Sequence, residues 1–190
     1  MRRRSFLKSA AILPLAGFDP AVFASSPADT PSGQPNVIPA GPHVIPAGKD
    51  RLEESHSRGF SSILFKVLPR ETSNGLFVIE HMNLVNGGPP LHKHLHQEEY
   101  FYVISGEVRF AVGDQRLLLR AGDSLLGPRG VAHTFAAVVG KPSHMLIAFS
   151  PAGKMEQFLR DTAIPNPPLQ DAAFFQRYEM ELVGPSPFEV

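Results

Sequence analysis

His92 and His94 stand two residues apart. On a β-strand such residues share a face, so both imidazoles point the same way. A few residues on, Glu99 opens a run in phase with Phe101 and Val103. With that face turned inward, the carboxylate lies beside both imidazoles, where an ionised group is costly unless a cation is near. Glu98 has the opposite parity and is expected to face out. A second stretch runs from Gly122 through Pro128-Arg129-Gly130 to His133. Its turn residues deliver His133 to the start of another strand, with Phe135 and Ala137 in phase behind it as an aromatic wall. Three imidazoles and one carboxylate form a donor set for one divalent transition metal, and Fe, Mn, Ni, Co, Cu and Zn all suit it. His92, His94, Glu99 and His133 are therefore the expected ligands. His94 and His96 form a rival same-face pair. His43, His56, His81 and His144 stand in no such pattern; His81 can reach the cavity from the preceding strand, although a surface or core place is expected.

The elements that must hold these side chains are short strands. From residue 61 onward apolar runs alternate with turn signals: 61–68 and 76–84 are strand-like, and Asn74-Gly75 between them suggests a hairpin. Residues 100–104, 107–112, 115–120, 133–139 and 143–149 follow, separated by Ser105-Gly106, Gly113-Asp114 and Gly140-Lys141-Pro142. Many short strands at this spacing predict an all-β sandwich or barrel. Residues 154–162 and 171–180 have helical periodicity, the first gathering Met155, Phe158 and Leu159, the second Phe174, Phe175 and Tyr178. They are expected to pack outside the barrel without a catalytic part. Tyr100, Tyr102 and Ile104 lie on the face opposite Glu99. An apolar outer stripe implies a cover, either a second copy in a homodimer or the C-terminal helices of the same chain.

The chain has 190 residues, 43% of them hydrophobic, enough for one domain plus extensions. Cysteine is absent, which excludes disulfides, thiolate metal sites and a cysteine nucleophile. Residues 1–24 begin with Arg2, Arg3 and Arg4, continue with an apolar run too short to span a bilayer, and end in Val22-Phe23-Ala24. The stretch from Arg3 to Lys8 resembles the twin-arginine export motif, which implies a bacterial or archaeal protein exported folded to the periplasm or beyond. Without this segment the formal net charge falls from 0 to −3. A weakly acidic domain without a basic stripe offers no footprint for nucleic acid, and no stable membrane anchor is expected. Residues 25–48 read as a flexible linker; one of its two Val-Ile-Pro-Ala-Gly copies is expected to form an edge strand.

The two stretches together resemble the motifs of the cupin superfamily. His92, His94, Glu99 and Gly106 meet the first, and Gly122, Pro128, Gly130 and His133 the second. Asn86 stands where a glycine usually opens the first motif, and Ala137 where an asparagine often closes the second. The resemblance covers roughly residues 49–150 and implies a jelly-roll β-barrel, with residues 151–190 as a helical extension. Pro89-Pro90-Leu91-His92, Phe101-Tyr102-Val103 and Pro151-Ala152-Gly153 further resemble quercetinase-like monocupins. That implies a metal-dependent dioxygenase for a small enolic or phenolic substrate, with Glu99 as both ligand and catalytic base. A metal-dependent isomerase, epimerase or lyase, and a non-catalytic module binding a small ligand or metal, remain open on the same donor set.

Overall fold

The computed structural model describes residues 41–57, 61–85 and 87–188. The export-signal reading at 1–24 and most of the linker fall outside these residues. The second Val-Ile-Pro-Ala-Gly copy, at 44–48, forms no strand and ends in a turn. The first strand is β1 (His56–Ser57), followed by β2 (Ser62–Val67) and β3 (Phe77–Leu84). Then come β4 (Leu91–His94), β5 (Glu98–Ser105), β6 (Glu107–Val112), β7 (Gln115–Arg120), β8 (Ser124–Gly127), β9 (His133–Ala137) and β10 (Ser143–Ser150). Helices α1 (Met155–Asp161) and α2 (Ala172–Gln176) lead into β11 (Met180–Gly184).

The strands form two antiparallel sheets, in the orders β1-β2-β3-β10-β5-β8 and β11-β4-β9-β6-β7. The chain changes sheet between β3 and β4, β4 and β5, and β5 and β6, as a jelly roll requires. Alternation decides what lies between the sheets: Phe77, Ile79 and His81 of β3, Glu99, Phe101 and Val103 of β5, and Met145, Ile147 and Phe149 of β10 are all buried. Phe101 meets Phe110 and Phe135 of the other sheet at ring distances of 5.0 and 5.8 Å. These edge-on contacts tie the two layers together.

Between β5 and β6 the chain reverses at Gly106, whose φ is +78°. A Cβ there would approach the Pro142 carbonyl to 2.6 Å, so the crossing of these segments requires glycine. The link from β2 to β3 is longer than a two-residue hairpin: a 3-10 turn at Pro69–Glu71 precedes Ser73 and Asn74, both with positive φ.

The C-terminal region departs from expectation. Helix α2 stops at Gln176, and Glu179, with φ of 62°, turns the chain into β11. Phe174, Phe175 and Tyr178 have helical spacing, but Met180 takes strand geometry opposite His94 and Leu182 opposite His92. The open edge of β4 supplies backbone partners that helical periodicity cannot register. Residues 124–127 also form a strand where the turn-rich sequence suggested only a connection. No helix among the described residues is long and apolar enough to cross a membrane.

Candidate metal centre

Strand β4 presents His92 and His94 on one face, and β9 places His133 directly opposite His92. These three belong to the five-stranded sheet, whereas Glu99 reaches in from β5 of the other. Their donor atoms all lie within 4.8 Å of one another, and all four side chains are buried. Two donors each ~2.1 Å from one ion stand at most ~4.2 Å apart, so a contraction of roughly half an ångström closes the widest pair.

Each imidazole is oriented through its Nδ1. His92 Nδ1 faces the Pro90 carbonyl at 2.8 Å, His94 Nδ1 the Gln97 Oε1 at 2.9 Å, and His133 Nδ1 the Val131 carbonyl at 2.9 Å. All three partners are acceptors, so Nδ1 carries the proton and Nε2 is left to bind an ion. In the metal-free protein His133 carries a second proton at Nε2 and donates it to Glu99 Oε2 at 2.8 Å. His94 Nε2 is buried 3.2 Å from the same oxygen and makes no hydrogen bond. A buried ring nitrogen left this way, beside a carboxylate and two further imidazoles, suits a cation.

The charges agree with this. Burial opposes ionisation of Glu99, but the His133 hydrogen bond and the adjacent His94 outweigh it and hold the carboxyl well below its usual range. Burial likewise opposes the charge on His133, and Glu99 outweighs it, raising the imidazole above 6.5. His92 is pushed down to about 3, first by burial and then by repulsion from His133 and His94. In the metal-free protein Glu99 and His133 thus form a buried ion pair beside a neutral His92.

A cavity lies against His92, His94 and Glu99. Its wall is otherwise apolar, with Ile79, Ile147, Phe135 and Phe149 from the barrel, and His81 as a further polar side chain. Met155, Phe158, Leu159, Leu169 and Phe175 also line it. The C-terminal helices therefore face the cavity instead of packing outside the barrel. Phe175 stands 5.9 Å from the His92 ring. Their apolar stripe marked burial in the sequence but not which surface it would cover.

His96 is exposed and stands outside the cluster. Glu98 turns outward and pairs in a bidentate fashion with Arg129 at 2.5 Å. His81, buried on β3, lines the cavity instead of taking a plain core place; its parity with Phe77 and Ile79 was the available clue.

Residues 81–149 match the family described as Cupin domain. An RmlC-like cupin from Shewanella frigidimarina has a similar fold, with a TM-score of 0.51 at 20% identity, covering 61% of this chain and 96% of that one. A predicted oxalate decarboxylase from Thermotoga maritima aligns with a TM-score of 0.45 at 18% identity, covering 47% of this chain and 79% of that one. In sequence, 82 residues are 37% identical to Oxidoreductase OpS7 from Beauveria bassiana, 43% of this chain and 24% of that protein. The chain thus spans about a quarter of that relative's length. The matched segment holds all four candidate ligands and ends before α1, whereas part of the cavity wall comes from residues after Ser150.

Proposed function

We propose that this cupin is a metal-dependent dioxygenase acting on a small enolic or phenolic substrate, with His92, His94, Glu99 and His133 as the ligands of one divalent ion. The observation that carries this reading is the buried three-histidine, one-glutamate cluster at the wall of a largely apolar cavity. His92, His94, Glu99 and His133 would hold the ion from the barrel wall, and its cavity side would remain open to an oxygen donor from the substrate. The 37% identity to a protein named an oxidoreductase favours redox chemistry over the isomerase and binding-module readings.

A bound metal would supply Lewis acidity and a place for an oxygen-donor substrate. The chain's own residues do the rest. The Pro90, Gln97 and Val131 acceptors keep the three imidazoles in one tautomer. Ile79, Ile147, Phe135 and Phe149 exclude water and accept the apolar body of the substrate. Glu99 is held ionised at the cavity wall, and its carboxylate would accept the proton of a substrate hydroxyl bound there. Oxygen consumption by metal-reconstituted protein with a panel of enols and catechols tests the reading. Uptake that requires both metal and one substrate class supports it; turnover without oxygen, or binding without turnover, replaces it with one of the two alternatives.

A further inference from the structure

Gln97 lies between the cluster and the C-terminal extension, and it is 2% exposed. Its Oε1 accepts from His94 Nδ1 at 2.9 Å. Its Nε2 donates to the carbonyls of Pro151 at 3.0 Å and Ala152 at 2.5 Å. One amide thus spends its acceptor on a candidate ligand and both amide protons on the junction where the barrel hands over to α1. The Ala152 carbonyl also accepts from Met155 N at 3.2 Å, and Met155 opens α1 and lines the cavity. Between them stands Gly153, with φ of +53°; a Cβ there would lie 2.5 Å from Gln97 Nε2. The junction is shaped around this side chain.

The extension is a connected unit. Tyr178 Oη donates to Asp161 Oδ2, joining the end of α1 to the residues after α2. Lys154 Nζ donates to the Arg177 carbonyl at 3.2 Å and pairs with Glu179 at 2.9 Å. Beyond them, β11 pairs with β4 opposite both ligand histidines.

We propose that Gln97 is a positioning residue that couples His94 to this extension, so that metal binding at His94 and seating of the α1–α2 cap over the cavity reinforce each other. The proposal rests on metal binding by the four residues, not on oxygenase chemistry. A His94 ring pulled onto an ion fixes Gln97, and a fixed Gln97 holds the Pro151 and Ala152 carbonyls that set the start of α1. Coupling of this kind is reciprocal: whatever loosens the junction must weaken the metal site.

The test uses Co²⁺ alone, with the wild-type chain and the variants Gln97→Leu, Gln97→Glu and Gly153→Ala. Co²⁺ affinity is read by chelator competition, and cap order by amide hydrogen exchange over residues 153–161 with β9 as an internal control. In the wild type, Co²⁺ should slow exchange in both segments. Gln97→Leu should lower Co²⁺ affinity by roughly 10–100-fold, the usual cost of losing a partner that orients a ligand. At saturating Co²⁺ it should protect β9 but not 153–161. Gln97→Glu keeps the acceptor for His94 and should retain more affinity, while its carboxylate repels the two carbonyls and frees the cap. Gly153→Ala touches no ligand and should still weaken Co²⁺ several-fold. Wild-type affinity in both Gln97→Leu and Gly153→Ala, or unchanged cap protection in Gln97→Leu, overturns the coupling. A wild type that binds no Co²⁺ overturns the metal reading together with it.

Discussion

Acidifying the metal-free protein from pH 6.5 to 4.5 should destabilise it through one member of the cluster, His92. Its imidazole is buried against His133 and His94, and these surroundings push it down to about 3. The neutral form is favoured in the fold, so the stabilisation is fully present above the unfolded value near 6.5 and is lost as pH falls toward 3. As pH falls below 6.5 the unfolded chain comes to bind one proton more than the native one, a slope that approaches about 1.4 kcal/mol per pH unit and amounts to roughly 2 kcal/mol over the two units. That is a large share of an ordinary domain's 5–15 kcal/mol. The other shifted groups of the cluster add little here. Glu99 is lowered, so its contribution falls away only as pH drops below its ordinary value of 4.5. His133 is raised, so its contribution is present below 6.5 and lost only as pH climbs through its elevated folded value. Metal-free stability should therefore peak near pH 6.5. Urea unfolding in the presence of a chelator, at half-unit steps of pH, gives the slope; His92→Leu should flatten it by up to about 1.4 kcal/mol per unit. Parallel slopes in the wild type and His92→Leu refute the argument.

The wild type should hold about one metal equivalent, from the count of four ligands around one ion. His92→Ala, His94→Ala and His133→Ala should each lose most of it and His96→Ala should not, as elemental analysis will read; loss in His96→Ala with retention in His92→Ala contradicts the ligand set. At matched metal occupancy Glu99→Gln should turn over at least ~10²-fold more slowly, and activity near wild type leaves Glu99 without a role as base. Tyr100, Tyr102 and Ile104 are each 39% exposed, with Leu126 of the neighbouring strand at 52%, and the C-terminal helices line the cavity instead of covering them. Light scattering should accordingly find a homodimer that Tyr102→Lys dissociates; a wild-type monomer at micromolar concentration removes it. Replacing Arg3 and Arg4 together by lysine should trap the precursor in the cytoplasm, and continued processing of that variant contradicts the twin-arginine reading.

Local pattern carried the barrel and the cluster. Strand alternation alone put His92, His94 and Glu99 on inward faces, and turn residues before His133 announced the fourth position, because a period of two leaves a side chain only two directions to point. The bounds of β6 and β7 were legible for the same reason: glycine turns delimit them on both sides. What pattern could not supply was the partner of each surface. Residues 171–180 read as one helix, yet Met180 joins the open edge of β4, a backbone vacancy created by a strand some eighty residues earlier. Met155, Phe158 and Phe175 advertised an apolar stripe, but only the packed chain aimed it at the cavity. Gln97 carries no sequence mark of importance; its three hydrogen bonds join His94 to residues more than fifty positions away. Periodicity is a property of neighbours in the chain, whereas a wall, an edge partner and an orienting amide are properties of neighbours in space.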